Sequence, residues 1–168
     1  STQQQIYHII KHQAASEMDE GKSREAVRKL KKAIIIRLYQ TVTNPRLISE
    51  NDKDFQIDGL RTPKSKGDQD ILNLLSQYDG GKTTPKIIEV AKHARELSTG
   101  IGKRALDNKP KNVLIFTIFK GTADDIAKEL KDLDPLVVKG DIDGIDRETI
   151  YEEFKNWNFS NGYGKILI

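Results

Sequence analysis

Apolar residues recur at helical spacing along the first two thirds of the chain and in short unbroken runs along the last third. Ile6, Ile9, Ile10 and Ala14 share one face of a helix that Thr2 and Gln5 can open as a capping box. After Gly21, Ser23 can cap a second helix with the stripe Val27, Leu30, Ile34 and Leu38; Pro45 ends it by disfavouring helical geometry at Asn44. Residues 49–67 are polar and turn-rich, which predicts a mobile loop, and a short helix follows at 68–78. In "TTPKIIEVAKHARELS", Thr84 suits an N-cap and Pro85 the first helical position, with Ile87, Val90, Ala91, Ala94 and Leu97 facing a core.

The pattern then changes. "NVLIFTIF" at 112–119 is an almost continuous β-rich apolar run, the form a strand takes when both faces are covered. Thr122 can cap a helix with Ile126, Ala127 and Leu130 inward. "PLVVK" at 135–139 predicts a second strand, and Asp146 to Trp157 a helix with Ile150, Tyr151 and Phe154 inward. "KILI" at the end predicts a third strand. Strand–helix–strand–helix–strand implies a parallel α/β sheet with right-handed crossovers and helices on both faces. The expected organisation is a helical segment at 1–48, a polar loop with a short helix at 49–83, and the sheet-bearing part at 84–168. An ending within a strand predicts a cut end, and a first residue Ser1 without methionine a processed or excised start.

One motif calls for a test. Gly81-Lys82-Thr83 spells the end of a phosphate-binding loop, G-x-x-x-x-G-K-[ST]. The first glycine of that loop frees the backbone to wrap phosphates, and its position holds Ser76. The residues leading in, Ile71, Leu74, Leu75 and Tyr78, have helical spacing where a strand is needed. The stretch is a helix start, and Lys82 a loop lysine.

The chain has no cysteine, which excludes disulfides and thiolate metal sites and fits a reducing compartment. No apolar run reaches membrane-spanning length. Net charge is +3, unevenly spread: residues 1–48 carry +5 and the remainder −2. Lys22 to Arg37 holds seven basic residues and one acid, Glu25; such a run is either a solvated helix face or a stripe facing phosphates. His8, His12 and His93 lie on predicted helices with no acidic ligand set near them. Asp141, Asp143 and Asp146 fit no EF-hand spacing and read as turn or N-cap residues.

Ligands in open parallel sheets gather at the carboxyl ends of strands, here 117–122 and 139–144. The first offers Thr117, Lys120, Gly121 and a helix N-terminus; the second Lys139, Gly140 and an acid-rich turn. Neither holds a nucleophile–base pair or a carboxylate dyad. A receiver-type site needs an acid at a strand end, where Thr117 and Lys139 stand. A flavodoxin-type site needs a hydroxyl-rich phosphate loop early in the chain, and none is present.

"KNVLIFTIFKGTADDIAKEL", "VVKGDIDGIDRETIYEEFKN" and "GKILI", taken in order, resemble the second RecA-like lobe of superfamily-two helicases, most closely the Swi/Snf-type DNA translocases, up to the strand entering motif V. "STQQQIYHII", "IRLYQTVTNPRLI" and "TTPKIIEVAKHAREL" resemble the helices that precede motif IV in that family. The resemblance implies a RecA-like three-layer αβα fold after a helical segment, and an intracellular ATP-driven engine, cytoplasmic, nucleoid or nuclear. It implies double-stranded DNA and the first helicase lobe as partners and no membrane. ATP and Mg²⁺ are implied for the complete parent and no cofactor for this fragment, which lacks both the phosphate loop and the arginine-bearing motif. It further implies backbone-contacting roles for Thr117, Phe119, Lys120, Gly121, Thr122, Lys139, Gly140 and Asp141, the last through backbone N–H groups. The rival expectation is a catalytically inactive RecA-like module that binds protein partners or scaffolds an assembly. Phe119 has a second reading as a core residue at a strand end, Lys120 and Lys139 as solvent-facing charges, and Arg147 as a support for its own turn.

Overall fold

The computed structural model describes residues 2–18, 23–48, 66–77 and 83–168, which fall into two units, Ser1–Thr84 and Pro85–Ile168. Residues 49–65 of the loop expected at 49–67, Lys22, the Gly80–Lys82 part of the glycine-lysine stretch and Tyr78 lie outside the described residues.

The first unit is helical: α1 (Thr2–Met18), α2 (Arg24–Thr43), a 3-10 turn (Pro45–Ile48) and α3 (Lys66–Gln77). Ile6, Ile10 and Ile71 are buried together, with Ile9, Ile34, Leu38, Leu74 and Leu75 packed around them. Two sequence punctuators act as their chemistry predicts. Ser23 Oγ accepts a hydrogen bond from the Ala26 N–H at 3.3 Å and starts α2. Asn44, forced extended by the ring of Pro45, stops it. The last carbonyls of α2 have no intrahelical donor, and the Gln3 amide supplies one, at 2.6 Å to Thr41 O and 3.2 Å to Val42 O. That clasp fixes the start of α1 against the end of α2. α3 begins at Lys66, two residues before the expected start.

The second unit runs α4 (Pro85–Thr99), β1 (Val113–Leu114), α5 (Lys120–Glu129), a 3-10 turn (Lys131–Leu133), α6 (Gly144–Lys155) and β2 (Ile166–Leu167). β1 and β2 are parallel, with Val113 opposite Ile166 and Leu114 opposite Leu167. On the other side of β2, Leu136 bridges Leu167 in parallel, and Val138 N–H donates to Ile168 O at 2.8 Å. The last segment of the chain is thus the middle one, and Ile166, Leu167 and Ile168 are buried. Ile87, Ala91 and Ala94 of α4 and Ala123, Ile126 and Leu130 of α5 complete this core with Leu133.

The expected three-layer αβα RecA-like sheet is not what forms. Helices dominate, and the sheet has two strands with one bridged segment beside them. The reason lies in the alternation along 113–118. Val113 and Ile115 pack on the α4–α5 core, while Leu114, Phe116 and Ile118 are 50 %, 87 % and 67 % exposed. α6, expected to cover that kind of surface with Ile150, Tyr151 and Phe154, contains no buried residue. The continuous apolar run is one covered face and one open face, so a second helical layer is missing. β1 is also shorter than the 112–119 run; the Val113 and Ile115 N–H groups donate to Lys165 O and Leu167 O.

Two contacts fix the geometry of this unit. At Gly164 a Cβ would lie 1.9 Å from Lys111 O and 2.2 Å from Lys111 C, so no other residue allows the approach. Arg95 on α4 forks onto both carboxylate oxygens of Asp132, after α5, and donates to Glu129 O at 3.0 Å. The Arg95 hydrogen bond holds the Asp132 carboxyl below its usual range, against the opposing effect of burial.

Gly164→Ala is expected to destabilise the second unit by about 3 kcal/mol or more, since backbone must move, and so to lower its urea midpoint; an unchanged midpoint refutes the close approach. Asp132, with its folded pKa depressed, contributes stability above the ordinary carboxylate pKa of about 4 and loses it as pH falls through the folded value. Arg95→Met should therefore flatten the acid limb of the stability–pH curve while leaving the limb above about pH 6 parallel to that of the parent chain.

Candidate nucleic-acid interface

The two strand-end clusters singled out in the sequence lie side by side. α5 begins at Lys120, two residues before the expected Thr122 cap, with Phe119 as its N-cap and no side chain capping it. Thr117 Oγ1 accepts from Phe119 N–H at 3.4 Å, and Phe119 O accepts from the N–H groups of Thr122 and Ala123 at 3.1 Å each. This turn delivers the chain from β1 into α5. In the neighbouring segment, Ile142 N–H donates to Lys139 O at 3.1 Å, and the Asp143 carboxylate accepts from Gly144 N–H and caps α6. Asp143 thus has the capping role its position predicts.

Two crossed ion pairs join the segments. Lys120 Nζ lies 3.1 Å from the Asp141 carboxylate, and Lys139 Nζ lies 2.6 Å from that of Asp124. The hydrogen bond from Lys120 holds the Asp141 carboxyl below its usual range. Both pairs are open to solvent, so each adds little to stability. What they do is occupy the two lysines with anions that water or another anion can replace at small cost.

The other residues divide clearly. Phe119 is 2 % exposed, so its ring belongs to the core and only its backbone faces the turn. Thr122 is buried and its hydroxyl has no hydrogen-bond partner, an unmet polar group in the first turn of α5. Gly121 occupies that same turn. Gly140 is exposed, with open space where a Cβ would stand, so nothing hinders approach to the backbone there. Arg147 braces the turn by donating to Ile142 O at 3.2 Å, while its Nε is buried without a partner. It supports its own turn, through a carbonyl.

Asp124 went unnoticed as part of the cluster, since from sequence it is only a favourable charge in the first turn of a helix. Lys165 was missed altogether. Its side chain is 1 % exposed, 3.0 Å from Asp134 and 3.1 Å from Glu153, with Nζ 4.7 Å from the centre of the Trp157 ring. Burial alone lowers an ammonium pKa; the hydrogen bonds to Asp134 and Glu153 outweigh it and the net displacement is upward. This lysine is a structural cation. Among the described residues no group of three or more potential ligands could hold a metal ion, and no helix is long and apolar enough to cross a membrane. His8, His12 and His93 are exposed.

No protein-family model, curated protein or solved structure matches the chain.

Lys165→Met keeps the apolar stem and discards the charge; because Asp134 and Glu153 are themselves open to water, the expected cost is only about 1–2 kcal/mol in a urea melt. Lys165→Ala also removes the stem and should cost about 2–4 kcal/mol. Equal costs for the two refute the division between packing and charge.

Proposed function

We propose that this chain is the nucleic-acid-contacting part of an ATP-driven DNA translocase or helicase of the Swi/Snf type, whose nucleotide-holding residues lie in a separate lobe. The observation that carries the reading is the meeting of the 117–122 and 139–141 segments, the two that resemble backbone-contacting motifs, with Lys120 and Lys139 between them. The ligand class follows from the donors: two ammonium groups, a helix N-terminus and an unhindered glycine backbone fit phosphate oxygens and read no base edge.

The crossed pairs define how contact is made. A phosphate that approaches Lys120 replaces Asp141, and one that approaches Lys139 replaces Asp124. One exposed anion is exchanged for another, so affinity is low and falls steeply with salt. Weak, exchangeable, sequence-blind contact is what a stepping clamp needs, since each grip must be released in turn. ATP and Mg²⁺ would be held by the separate lobe, and this chain alone would not turn ATP over.

The test is duplex DNA binding by fluorescence anisotropy across a salt series. Asp124→Asn with Asp141→Asn frees both lysines, and binding should tighten several-fold at about 50 mM salt, with log K against log salt steeper by about 2. Lys120→Glu with Lys139→Glu should abolish binding. DNA affinity indifferent to both changes sinks the placement, and robust DNA-stimulated ATPase by the purified chain sinks the two-lobe reading.

A further inference from the structure

α2 has two faces. Ile34 and Leu38 pack into the core with α1 and α3. About a third of a turn away, at 100° per residue, a second stripe runs the length of the helix through Glu25, Arg28, Lys32, Ile35, Tyr39 and Val42. All six are exposed; Ile35, Tyr39 and Val42 are 52 %, 56 % and 45 % exposed. Their separations alternate between three and four residues without a break. Positions so spaced lie on one face of a helix, apolar at its C-terminal half and charged at its N-terminal half. Duplex DNA would use the cations and leave Ile35 without an apolar partner. A bilayer surface would need apolar residues along the whole face with cations flanking them, and here the two kinds stand in series.

The chain carries a helix with the complementary seam. α6 has no buried residue, and its Ile145 is 77 % exposed. From Ile145 the three–four spacing gives Glu148, Glu152 and Lys155, all exposed. Read backwards from Ile35, the α2 seam gives Lys32, Arg28 and Glu25 at the same three, four and three residues. Laid antiparallel, Ile145 meets Ile35, Glu148 meets Lys32, Glu152 meets Arg28 and Lys155 meets Glu25. One apolar and three opposite-charge pairs coincide in a single register, and the antiparallel helix dipoles favour it as well. The existing partners of these charges are near neighbours on the same helix, Glu25 with Lys29 at 2.9 Å and Glu152 with Lys155 at 3.3 Å, exposed pairs that exchange readily.

We propose that the outer seam of α2 is a docking face for α6 of a second copy of this chain, in that antiparallel register. The test is sedimentation of the full chain from about 1 to about 200 μM in about 50 mM salt. The expected result is concentration-dependent association that weakens at least tenfold in about 500 mM salt. Arg28→Glu with Lys32→Glu should leave a monomer, as should Glu148→Lys with Glu152→Lys, and an equimolar mixture of the two variants should associate again. Exposed positions make misfolding a small hazard, and circular dichroism of each variant checks it. Independently, zero-length carbodiimide coupling of a mixture of light and heavy isotope-labelled wild-type chains should yield Lys32–Glu148 links between the two labels. A chain monomeric throughout, association indifferent to both reversals, or links confined to single-label products overturns the proposal. So does a monomeric chain whose DNA binding is lost on reversal at Arg28 and Lys32, which would assign the seam to nucleic acid.

Discussion

The second unit depends on one close approach, between Gly164 and the backbone of Lys111. Because Gly164 has no side chain, the last segment lies against Lys111, its N–H donating to Ser98 O at 2.7 Å and its carbonyl accepting from the Ser98 hydroxyl. Everything downstream is then in register. Lys165 N–H reaches Asn112 Oδ1 at 2.9 Å, and Val113 N–H reaches Lys165 O at 2.9 Å. From there Ile166, Leu167 and Ile168 slot between β1 and the 136–138 segment. The Asn112 side chain also donates to Phe154 O at 3.2 Å, so the same junction fastens the end of α6. The buried Lys165 sits at this junction because its charge is answered from outside by Asp134 and Glu153 and its stem is covered by Trp157.

That register brings the charged groups of two segments together. Parallel strands deliver their carboxyl ends to one edge, so two lysines far apart in sequence become neighbours, each with a carboxylate from the other's segment. Such an edge is neither strongly basic nor empty. Its counter-charges are built in, and an anion that reached either lysine would have to displace an aspartate.

The local parts of this architecture were legible in the sequence. Ser23, Pro45, Pro85 and Asp143 each act through their own backbone geometry or the next turn, and periodicity located α1, α2 and α4 with their buried faces. What escaped depends on distant partners. The run at 112–119 is apolar on both alternations, so no pattern within it could reveal that Val113, Ile115 and Phe119 have something to pack against while Leu114, Phe116 and Ile118 do not. The RecA-like three-layer sheet, expected from the strand–helix alternation over 112–168 and from the family resemblance, does not form: two strands pair and one face of the run stays open. The site was legible as a set of residues and not as a set of bonds: Lys120 and Lys139 stood out, while the roles of Asp124, Asp141 and Arg147 come from contacts across the fold. Phe119 could be read two ways, and burial places its ring in the core.

The open side of β1 carries a consequence for how this chain is constrained. Leu114, Phe116 and Ile118 are mostly in water, so replacing them with Thr or Lys removes little buried area and costs the folded state almost nothing. The same replacements would relieve a liability, because three exposed apolar side chains alternating along 114–118 beside a sheet invite strand-to-strand aggregation. Folding therefore places no demand on their apolar character and solubility opposes it. Their side chains answer to requirements other than the stability of this core.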